Sequence, residues 1–365
     1  MTNCNDGILS DTLILELAKD RQITASAPFL EGQVQPASLD LRLGTRCFRV
    51  RASFLPGIER TVSQCLTHTA LHEIDLTQGA VLETGCVYIV ELQEHLALHS
   101  SLSAATNPKS STGRIDVFTR IITDKAQEFD TIPSGYQGPL YAEISPRTFP
   151  ILVRSGSRLS QLRIRKGKVR LDDRQLLTLH EREGLVVGSS FHSIQAGIAV
   201  SVDLSGFDGQ GLIGYRAKRH TGLIDVDKPA SCLISEFWEP LFTGRTCSLI
   251  LDPGQFYILA SKEAVHVPPS YAAEMTPFDP LVGEFRVHYA GFFDPGFGHE
   301  HAGGKGARAV LEVRSRDVPF ILEDGQIVGR LVYERMTSLP HMLYGTDLGS
   351  NYQAQGLKLS KHFYE

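Results

Sequence analysis

The segment Gly85-Cys-Val-Tyr-Ile-Val-Glu-Leu-Gln-Glu94 begins at a glycine and continues with β-branched and aromatic residues, which is typical of a strand after a turn. A second segment, Gly254-Gln-Phe-Tyr-Ile-Leu-Ala-Ser-Lys-Glu263, aligns with it without a gap. The offset in residue number that takes Gly85 to Gly254 also pairs identical residues elsewhere. These pairs are Glu143 with Glu312, Arg147 with Arg316, Pro150 with Pro319, Gly156 with Gly325 and Leu162 with Leu331. One constant offset over such separated positions predicts a duplicated domain, with a period too long for a solenoid.

The sequence around the repeated segment contains many more short strand-like runs. Gln35-Pro-Ala-Ser-Leu-Asp-Leu-Arg-Leu-Gly44 alternates apolar and polar residues and stops at a glycine, which predicts a strand followed by a turn. Similar runs lie at 70–75, 85–92, 116–123, 138–144, 149–154 and 160–165. Residues 7–21 predict a short amphipathic helix with Ser10 or Asp11 as its cap. The pattern predicts an all-β fold with a few short helices, built as a barrel or a sandwich.

The length of the chain and the repeat together predict two tandem domains. The 365 residues are too many for one ordinary core and suit two domains of roughly 150–200 residues each. We assign the first domain to residues 1–170 and the second to residues 191–365. Residues 171–190 are rich in charged side chains, and we interpret them as the connection between the domains.

Composition and charge exclude several classes of function. The net charge is −5, so the chain has no general basic surface for a nucleic acid polymer. The N-terminus has no apolar core behind basic residues, and no run approaches the ~20 apolar residues that span a membrane. The six cysteines are scattered without a Cys-x-x-Cys pair, which indicates reduced thiols, a cytoplasmic location and no zinc site.

The stretch Asn107-Pro-Lys-Ser-Ser-Thr-Gly-Arg114 is the strongest candidate for a binding site. Its cations and hydroxyl donors suit a polyanion such as a triphosphate. A polar turn or a helix start is the alternative, because Ser and Thr also cap helices. At the repeat offset, the cluster residues Lys109, Ser110, Ser111 and Arg114 align with Phe278, Asp279, Pro280 and Gly283. The fold can therefore form without the cluster, and this favours a specific task in the first copy.

With these motifs in view, the chain resembles the dCTP deaminase family of the dUTPase-like superfamily over nearly its whole length. The motifs of the family, in their order, are similar to Gln35–Gly44, to Lys109-Ser-Ser-Thr-Gly-Arg114, to Gly135-Tyr-Gln-Gly138 with Tyr141-Ala-Glu143, to Gly156-Ser-Arg-Leu-Ser-Gln-Leu162, and to a tail with Tyr344 and Asn351-Tyr-Gln-Ala-Gln-Gly356. Each motif alone is weak, but their order is specific. The duplicated length resembles a two-copy variant of the family.

The resemblance implies a fold, an assembly and a reaction. The fold is two tandem dUTPase-like distorted β-barrels. The assembly is a homo-oligomer, a trimer or stacked trimeric rings of barrels, with active sites between subunits. The reaction is hydrolytic, zinc-independent deamination of dCTP to dUTP and ammonia, which supplies dUTP for thymidylate synthesis.

The resemblance also implies the catalytic groups. Glu143 is expected to be the proton shuttle that takes a proton from water and passes it to the leaving amine. Ser110 and Arg114 are expected to orient the water and to stabilise the tetrahedral centre.

The remaining roles concern the nucleotide. Lys109 and Ser111 are expected to hold phosphates, and Mg²⁺ to bridge phosphate oxygens rather than to sit in a protein cage. Tyr344 and Gln355 are expected to come from a lid that closes over the nucleotide. Contacts to the base are expected mostly from the backbone of the hairpin before Glu143.

The chain departs from the family pattern in the third motif, which usually opens with Asp-Pro-Gly and uses the Asp for the sugar. The first copy has Pro133-Ser-Gly135 there, whereas the second copy has Asp294-Pro-Gly-Phe-Gly298 and keeps Glu312. Each copy therefore carries part of a site. If like copies group in rings of three, Glu143 is the working glutamate. If rings mix, a composite site with Asp294 and Glu312 remains possible.

Three functions stay open at this point. The leading one is dCTP deamination, and the His-x-Glu and Pro-Cys-x-x-Cys signatures of zinc deaminases are absent from the sequence. The second is a dUTP pyrophosphatase or a bifunctional deaminase and pyrophosphatase, because one scaffold serves both chemistries. The third is a non-catalytic nucleotide-sensing protein, for which the divided motifs are the best support.

Overall fold

The computed structural model describes residues 6–187, 193–206, 209–277, 285–288, 291–315, 317–345 and 356–365. The helices are α1 (Asp11–Lys19), α2 (Val62–Thr69), α3 (Ser110–Gly113), α4 (Asp173–Glu183) and α5 (Ile234–Phe237), with a 3₁₀ turn at Glu300–Ala302. The strands are β1 (Gly7–Ile8), β2 (Ile23–Ala25), β3 (Val34–Gln35), β4 (Ser38–Val50), β5 (Ala70–Asp75), β6 (Ala80–Leu82), β7 (Val87–Ala97), β8 (Leu102–Pro108), β9 (Val117–Thr123), β10 (Thr131–Ile132), β11 (Gln137–Pro146), β12 (Ile151–Val153), β13 (Arg158–Lys166), β14 (Val186–Val187), β15 (Ile198–Ser201), β16 (Leu212–Ala217), β17 (Ile224–Asp225), β18 (Cys232–Leu233), β19 (Trp238–Phe242), β20 (Ser248–Leu251), β21 (Phe256–Val265), β22 (Tyr271–Pro277), β23 (Phe285–His288), β24 (Phe292–Phe293), β25 (Ala307–Ser315), β26 (Phe320–Glu323), β27 (Ile327–Arg335) and β28 (Phe363–Tyr364). The prediction of an all-β fold with a few short helices is confirmed.

The chain divides into two compact units. Unit 1 contains the residues up to 169, with His220–Leu233 and Ser360–Tyr364. Unit 2 contains Arg170–Arg219 and Ile234–Leu359. Two short segments of the predicted second domain thus belong to unit 1, and α4 lies within the predicted connection 171–190. The boundaries proposed from the sequence stay predictions.

Unit 1 is built around one large, strongly curved sheet. Its strands follow the order β10-β8-β13-β4-β7-β11-β9, and β1, β2, β3 and β5 pair along its sides. Strands β8 and β9, near the two ends of this order, contact each other, so the sheet is a nearly closed barrel. The core is aliphatic because the strands alternate, as in β4, where Leu39, Leu41 and Leu43 are all buried.

Unit 2 contains the second copy of the repeated strands. A six-stranded sheet has the order β19-β16-β21-β25-β23, with β14 on β21, and a four-stranded sheet has the order β15-β27-β22-β24. Glu312 in β25 pairs with Ile258 in β21, just as Glu143 in β11 pairs with Ile89 in β7. Equivalent residues therefore occupy equivalent positions in the two units, which confirms the duplication.

Two further observations bear on the class of protein. No helix in the described part of the chain is long and apolar enough to cross a membrane. The five cysteines that the structure describes form no disulfide bond with one another, and they are Cys47, Cys65, Cys86, Cys232 and Cys247.

Candidate active site

The Lys-Ser-Ser-x-x-Arg motif lies at the sharp connection between β8 and β9. Lys109 is the residue before α3, and its backbone N–H donates to the carbonyl of Leu159 at 2.9 Å, which ties the motif to β13. The backbone N–H of Arg114 donates to the carbonyl of Ser110 at 3.0 Å and closes the short helix. Ser111 and Arg114 are buried, whereas Ser110 and Lys109 are partly exposed. The structure therefore brings the four predicted residues of the cluster together.

A buried carboxylate from the first strand motif neutralises part of this cluster. Asp40 of β4 is 1% exposed and forms an ion pair with Lys109 through its Oδ2 atom. The guanidinium Nη1 of Arg158 lies 3.4 Å from the same oxygen. A phosphate group at this position would therefore share Lys109 with a carboxylate that the protein supplies.

The end of the chain lies against the same motif within unit 1. The hydroxyl of Ser360 donates to the carbonyl of Ser111 at 2.9 Å, and both residues are buried. The Nδ1 atom of His362 lies 2.9 Å from the Ser360 hydroxyl, and its Nε2 atom lies 3.0 Å from the carbonyl of Val226. These contacts fix the backbone on both sides of Lys361.

Glu143 occupies a central position in the sheet of unit 1, and one of its carboxylate oxygens is held. It lies in β11 opposite Arg120 of β9 and is 1% exposed. Its Oε1 atom accepts hydrogen bonds from Arg120 Nε at 3.1 Å and from Arg120 Nη2 at 2.5 Å. Its Oε2 atom is buried and makes no hydrogen bond with the residues that the structure describes. The carboxylate is thus oriented through one oxygen, and the other oxygen keeps its capacity to accept a hydrogen bond.

The cation that orients Glu143 is itself fixed by aromatic rings. The Arg120 guanidinium carbon lies 3.4 Å from the ring centroid of Phe129 and 4.6 Å from that of Phe118. Arg120 Nη2 also donates to the hydroxyl of Ser53 at 3.0 Å. Stacking and hydrogen bonds together restrict the guanidinium to one orientation.

A second carboxylate, that of the partly buried Asp130, lies near this ion pair. Burial raises the pKa of Asp130 to about 6, although hydrogen bonds from Ile121 N–H and from the Thr106 hydroxyl favour its charged form. The positive charge of Arg120 lowers the pKa of Asp130, and the negative charge of Glu143 raises it. Asp130 therefore changes its protonation state close to Glu143 within an accessible pH range.

Glu143 and the Lys-Ser-Ser-x-x-Arg motif lie at different levels along the direction of β9. Glu143 is opposite Arg120, whereas Pro146 is opposite Val117, the first residue of β9. Three strand residues span about 10 Å, and Arg114 lies three residues before Val117. The structure thus separates the predicted shuttle from the predicted oxyanion group along the strand direction.

A cavity of about 590 Å³ lies at the hairpin that precedes Glu143. It is bounded by the end of β9 and the following loop, and by the turn that contains Pro133, Gly135 and Tyr136. The Tyr136 hydroxyl donates to the carbonyl of Pro139 at 2.6 Å and braces that turn. The volume lies within the range of small-molecule sites in proteins. The hairpin predicted to contact the base therefore borders a cavity large enough for a nucleoside.

In unit 2 the structure brings two other predicted residues together. Asp294 is buried and opens the turn before Phe297, and the backbone N–H of Tyr344 donates to the carbonyl of Pro295 at 2.8 Å. The rings of Tyr344 and Phe297 have centroids 5.9 Å apart. The predicted lid residue Tyr344 thus packs on the turn that carries the predicted sugar ligand.

Two predicted residues need separate mention. Glu312 is 5% exposed and lies in β25 with Ile258 and His288 as its cross-strand partners. Gln355 lies outside the described residues. As for a metal, the described residues include no group of three or more His, Cys, Asp or Glu side chains placed to hold an ion.

Sequence reasoning missed several residues of this region. Asp40 and Arg158 belong to motifs that the sequence showed, but nothing in the sequence indicated that Lys109 and Arg158 both approach the carboxylate of Asp40. The pairing of Arg120 with Glu143 depends on strand register. The antiparallel register of β9 and β11 could have been derived from the sequence only if the bounds of both strands were known. Ser360 and Lys361 lie beyond the predicted lid, and no pattern in the sequence placed them at the motif.

The fold and the site define a class: the chain is a duplicated protein of two dUTPase-like β-units, with a cluster of cationic and hydroxyl side chains in the first and a buried glutamate at equivalent positions in both. Two family models describe the N-terminal and C-terminal domains of the proteins in one such family. Residues 5–168 match the N-terminal domain of 2′-deoxycytidine 5′-triphosphate deaminase, and residues 172–363 match its C-terminal domain. The chain belongs to the dCTP deaminase family, which is a family of enzymes.

Similar proteins agree with this assignment. The crystal structure of 2′-deoxycytidine 5′-triphosphate deaminase from Agrobacterium tumefaciens superposes with a TM-score of 0.88 and 62% identity, and the match covers 92% of this chain and 100% of that one. A dCTP deaminase from Halorubrum lacusprofundi is 30% identical over 161 residues, or 42% of this chain and 75% of the relative. A dUMP-forming dCTP deaminase from Coprothermobacter proteolyticus is 27% identical over 156 residues, or 42% of this chain and 80% of the relative. The resemblance inferred from the motifs is confirmed.

Proposed function

We propose that the enzyme deaminates dCTP by hydrolysis and that Glu143 is its proton shuttle. The single observation that carries the residue assignment is the asymmetry of the Glu143 carboxylate. Oε1 is held by two Arg120 donors, and Oε2 is buried without a hydrogen bond to the described residues. A carboxylate held in this way presents one basic oxygen in a fixed direction, which is what a general base for water requires.

The reaction replaces the amino group of cytosine with the oxygen of water. Glu143 Oε2 takes a proton from the water as its oxygen attacks the amino-bearing ring carbon. Glu143 then gives a proton to the leaving amine, so that dCTP and water become dUTP and ammonia. In this proposal the Glu143 carboxylate, and not a bound metal ion, activates the water. The hydroxyl of Ser110 and the guanidinium of Arg114 stabilise the charge of the tetrahedral centre.

The separation of the motif from Glu143 along β9 supports a site shared between barrels of different subunits. Arg114 and Glu143 of one barrel are at different levels of the sheet, so Ser110 and Arg114 reach the substrate from a neighbouring barrel in this proposal. A cyclic trimer generates such shared sites three times by symmetry. The trimer is therefore part of the proposal for the mechanism and not only for the assembly.

The phosphates bind at the Lys109 and Ser111 side of the site. The donor set here is cationic and hydroxylic, with Asp40 engaged by Lys109 and Arg158. It fits a Mg²⁺ ion that arrives on the triphosphate oxygens, where the ion would neutralise phosphate charge. The absence of disulfides among the described cysteines agrees with a cytoplasmic enzyme.

Glu312 is the alternative shuttle, and one observation favours it. In unit 2 the turn that begins at Asp294 packs with Tyr344, and this packing supports a sugar contact from the second copy. A role for Glu312 predicts that this glutamate, and not Glu143, is needed for turnover.

Analysis of the product tests the reaction. Purified enzyme is incubated with dCTP and Mg²⁺, with and without prior treatment with a zinc chelator, and nucleotides are separated by chromatography. We expect dUTP in both samples; dUMP with pyrophosphate would instead show a bifunctional enzyme. Loss of activity after zinc removal would contradict the proposal. Binding of dCTP to the enzyme without its conversion would also contradict it.

A mixing experiment tests the division of the site. Arg114→Gln and Glu143→Gln variants are each expected to be inactive. When the two are mixed, dissociated and reassembled, some sites receive both native residues, and part of the activity should return. If no activity returns while the mixed oligomer forms, the two residues act within one subunit.

A further inference from the structure

Ser360, His362 and two backbone carbonyls form a set of hydrogen bonds beside α3. The Ser360 hydroxyl donates to the carbonyl of Ser111 at 2.9 Å, and His362 Nδ1 lies 2.9 Å from the oxygen of the same hydroxyl. His362 Nε2 lies 3.0 Å from the carbonyl of Val226. Both side chains are buried, so their polar atoms depend on these partners within the protein.

The hydrogens in this set can be counted. A serine hydroxyl has one hydrogen, and a carbonyl oxygen can only accept. Because the Ser360 hydrogen goes to Ser111, Nδ1 of His362 has to donate to the Ser360 oxygen. Nε2 has to donate to the carbonyl of Val226. Since only the charged imidazole carries both hydrogens, the arrangement is that of a protonated His362.

A neutral His362 has one hydrogen fewer, so one of these three contacts has to change. Val226 offers only an acceptor, so the remaining imidazole hydrogen belongs on Nε2, and Nδ1 becomes an acceptor for the Ser360 hydroxyl. That hydroxyl cannot donate to Ser111 at the same time. Loss of the proton from His362 therefore removes a hydrogen bond from the Ser111 carbonyl of α3.

The backbone of His362 is fixed, so the imidazole cannot move to other partners. Its carbonyl accepts from the backbone N–H of Cys232 at 3.0 Å. The next residue, Phe363, pairs with Cys232 in the strand β28, and its ring lies 6.4 Å from that of Phe149 between centroids. A change in the protonation of His362 is therefore taken up by rotation of the Ser360 hydroxyl.

The charged groups around His362 set the pH at which this change occurs. Burial, the largest effect, and the charge of Lys361 lower the pKa of His362. The carbonyl of Val226 and the carboxylates of Asp227 and Asp225 raise it. The residues of α3 carry no ionisable side chain. The change of protonation therefore falls below the ordinary histidine pKa of about 6.5.

We propose that His362 is a positioning residue for the Lys-Ser-Ser-x-x-Arg motif, and that its protonation directs the Ser360 hydroxyl to the carbonyl of Ser111. The inference rests on the proposed function, because it takes Ser110 and Arg114 as groups that act on the nucleotide. With four residues, α3 is too short to be stable alone, so the orientation of these groups depends on contacts from outside the helix. A motif held in one orientation should bind dCTP more tightly, so protonation of His362 strengthens binding.

Hydrogen exchange of peptides that cover α3 tests the coupling in the full-length enzyme from about pH 5 to 8, with intrinsic exchange rates corrected for pH. In the unmodified enzyme, protection should be about fivefold higher in acid, the scale of one hydrogen bond. His362→Gln cannot titrate and leaves the Ser360 hydroxyl for Ser111, so protection should stay at the acid level. Ser360→Ala should stay at the low level. Lower protection at every pH in His362→Gln would show a purely structural role and refute the proposal.

The matched control is His99→Gln in the same unit. Nδ1 of His99 lies 2.9 Å from the hydroxyl of Ser101, as in the pair proposed to titrate, but both residues are exposed. The exchange profile of His99→Gln should equal that of the unmodified enzyme. Because the pKa of Asp130 is also about 6, only a difference between His99→Gln and His362→Gln is assigned to His362.

Binding and turnover of dCTP separate this proposal from the proposed function. By calorimetry, the ratio of the dCTP dissociation constants in alkaline and acid buffer should be about fivefold larger in His99→Gln than in His362→Gln. An equal ratio would refute the positioning role. If the α3 step depends on His362 but dCTP is not deaminated, the coupling stands and the reaction fails. If dCTP is deaminated and His362→Gln follows the exchange profile of His99→Gln, the role of His362 is refuted.

Discussion

Replacing Arg120 with glutamine tests whether the Arg120–Glu143 pair orients the reactive carboxylate. The change removes two hydrogen bonds to a carboxylate whose side chain is 2% exposed and leaves Glu143 Oε1 without its cation. Loss of one partner of a buried pair costs about 3–5 kcal/mol. The Arg120 side chain is 24% exposed, so we reduce the expected cost to about 2 kcal/mol.

The matched control is Arg46→Gln in the same unit. Arg46 makes the same kind of two-donor pair, at 2.7 and 3.1 Å, with Glu73, and its guanidinium lies over the ring of Phe48. Both partners of that pair are about half exposed, at 57% and 47%. An exposed pair contributes about 0–1 kcal/mol, so the control should change little.

The assay must report on unit 1. The only tryptophan of the chain, Trp238, belongs to unit 2, so its fluorescence would miss the effect. Hydrogen exchange of peptides that cover β9 and β11 measures the local opening free energy directly. We expect about 2 kcal/mol less protection in Arg120→Gln, and a kcat reduced at least tenfold because the carboxylate is no longer held in one orientation. Protection and kcat equal to those of Arg46→Gln would show that Arg120 does not orient the Glu143 carboxylate.

Three further predictions concern polar groups that are buried or partly buried. The pKa of Asp130 is raised to about 6, so ionising this carboxyl lowers the stability of unit 1 as the pH rises from about 4 to 6, by up to about 3 kcal/mol. Asp130→Asn should remove this pH dependence, which is measured as the hydrogen-exchange protection of unit 1 at a series of pH values. Ser360→Ala leaves the buried carbonyl of Ser111 without this hydrogen bond, so exchange in α3 peptides should show about 1–3 kcal/mol less protection, and unchanged exchange would contradict the contact. Burial and the neighbouring His299 lower the pKa of His266, so unit 2 should lose stability as the pH falls below about 6.5. His266→Phe should reduce this pH dependence of stability, which is measured from unfolding curves followed by Trp238 fluorescence. A pH dependence equal to that of the unmodified enzyme would refute the prediction.

The repeat and the strand periodicity predicted most of the fold because both depend on local pattern. Segment 70–75 is β5 with the same bounds, and segment 160–165 lies inside β13. The predicted helix 7–21 is shorter in the structure, since α1 covers Asp11–Lys19 and Gly7–Ile8 forms a strand on β13. That strand depends on a partner more than 150 positions away, which no local pattern contains.

The site was predictable in its residue types but not in its charge balance. Lys109, Ser110, Ser111 and Arg114 were found because they stand together in the chain. The pairing of Lys109 with Asp40 joins residues 69 positions apart and depends on how β4 and β13 meet, so the sequence could not indicate it. The same holds for the contact of Ser360 with Ser111, which crosses 249 positions.

In the proposed mechanism, Glu143 transfers the protons of dCTP deamination. This role is tested by the rate at which ammonia is released from dCTP. The rate is measured for the unmodified enzyme, Glu143→Gln and Glu312→Gln, each prepared in the same oligomeric state. We predict that Glu143→Gln lowers kcat by about 10²–10⁴-fold, the usual contribution of a general acid–base group, while Glu312→Gln retains most of the activity. Full activity in Glu143→Gln with loss in Glu312→Gln would show that Glu143 is not the proton shuttle and would assign the proton transfer to the second copy.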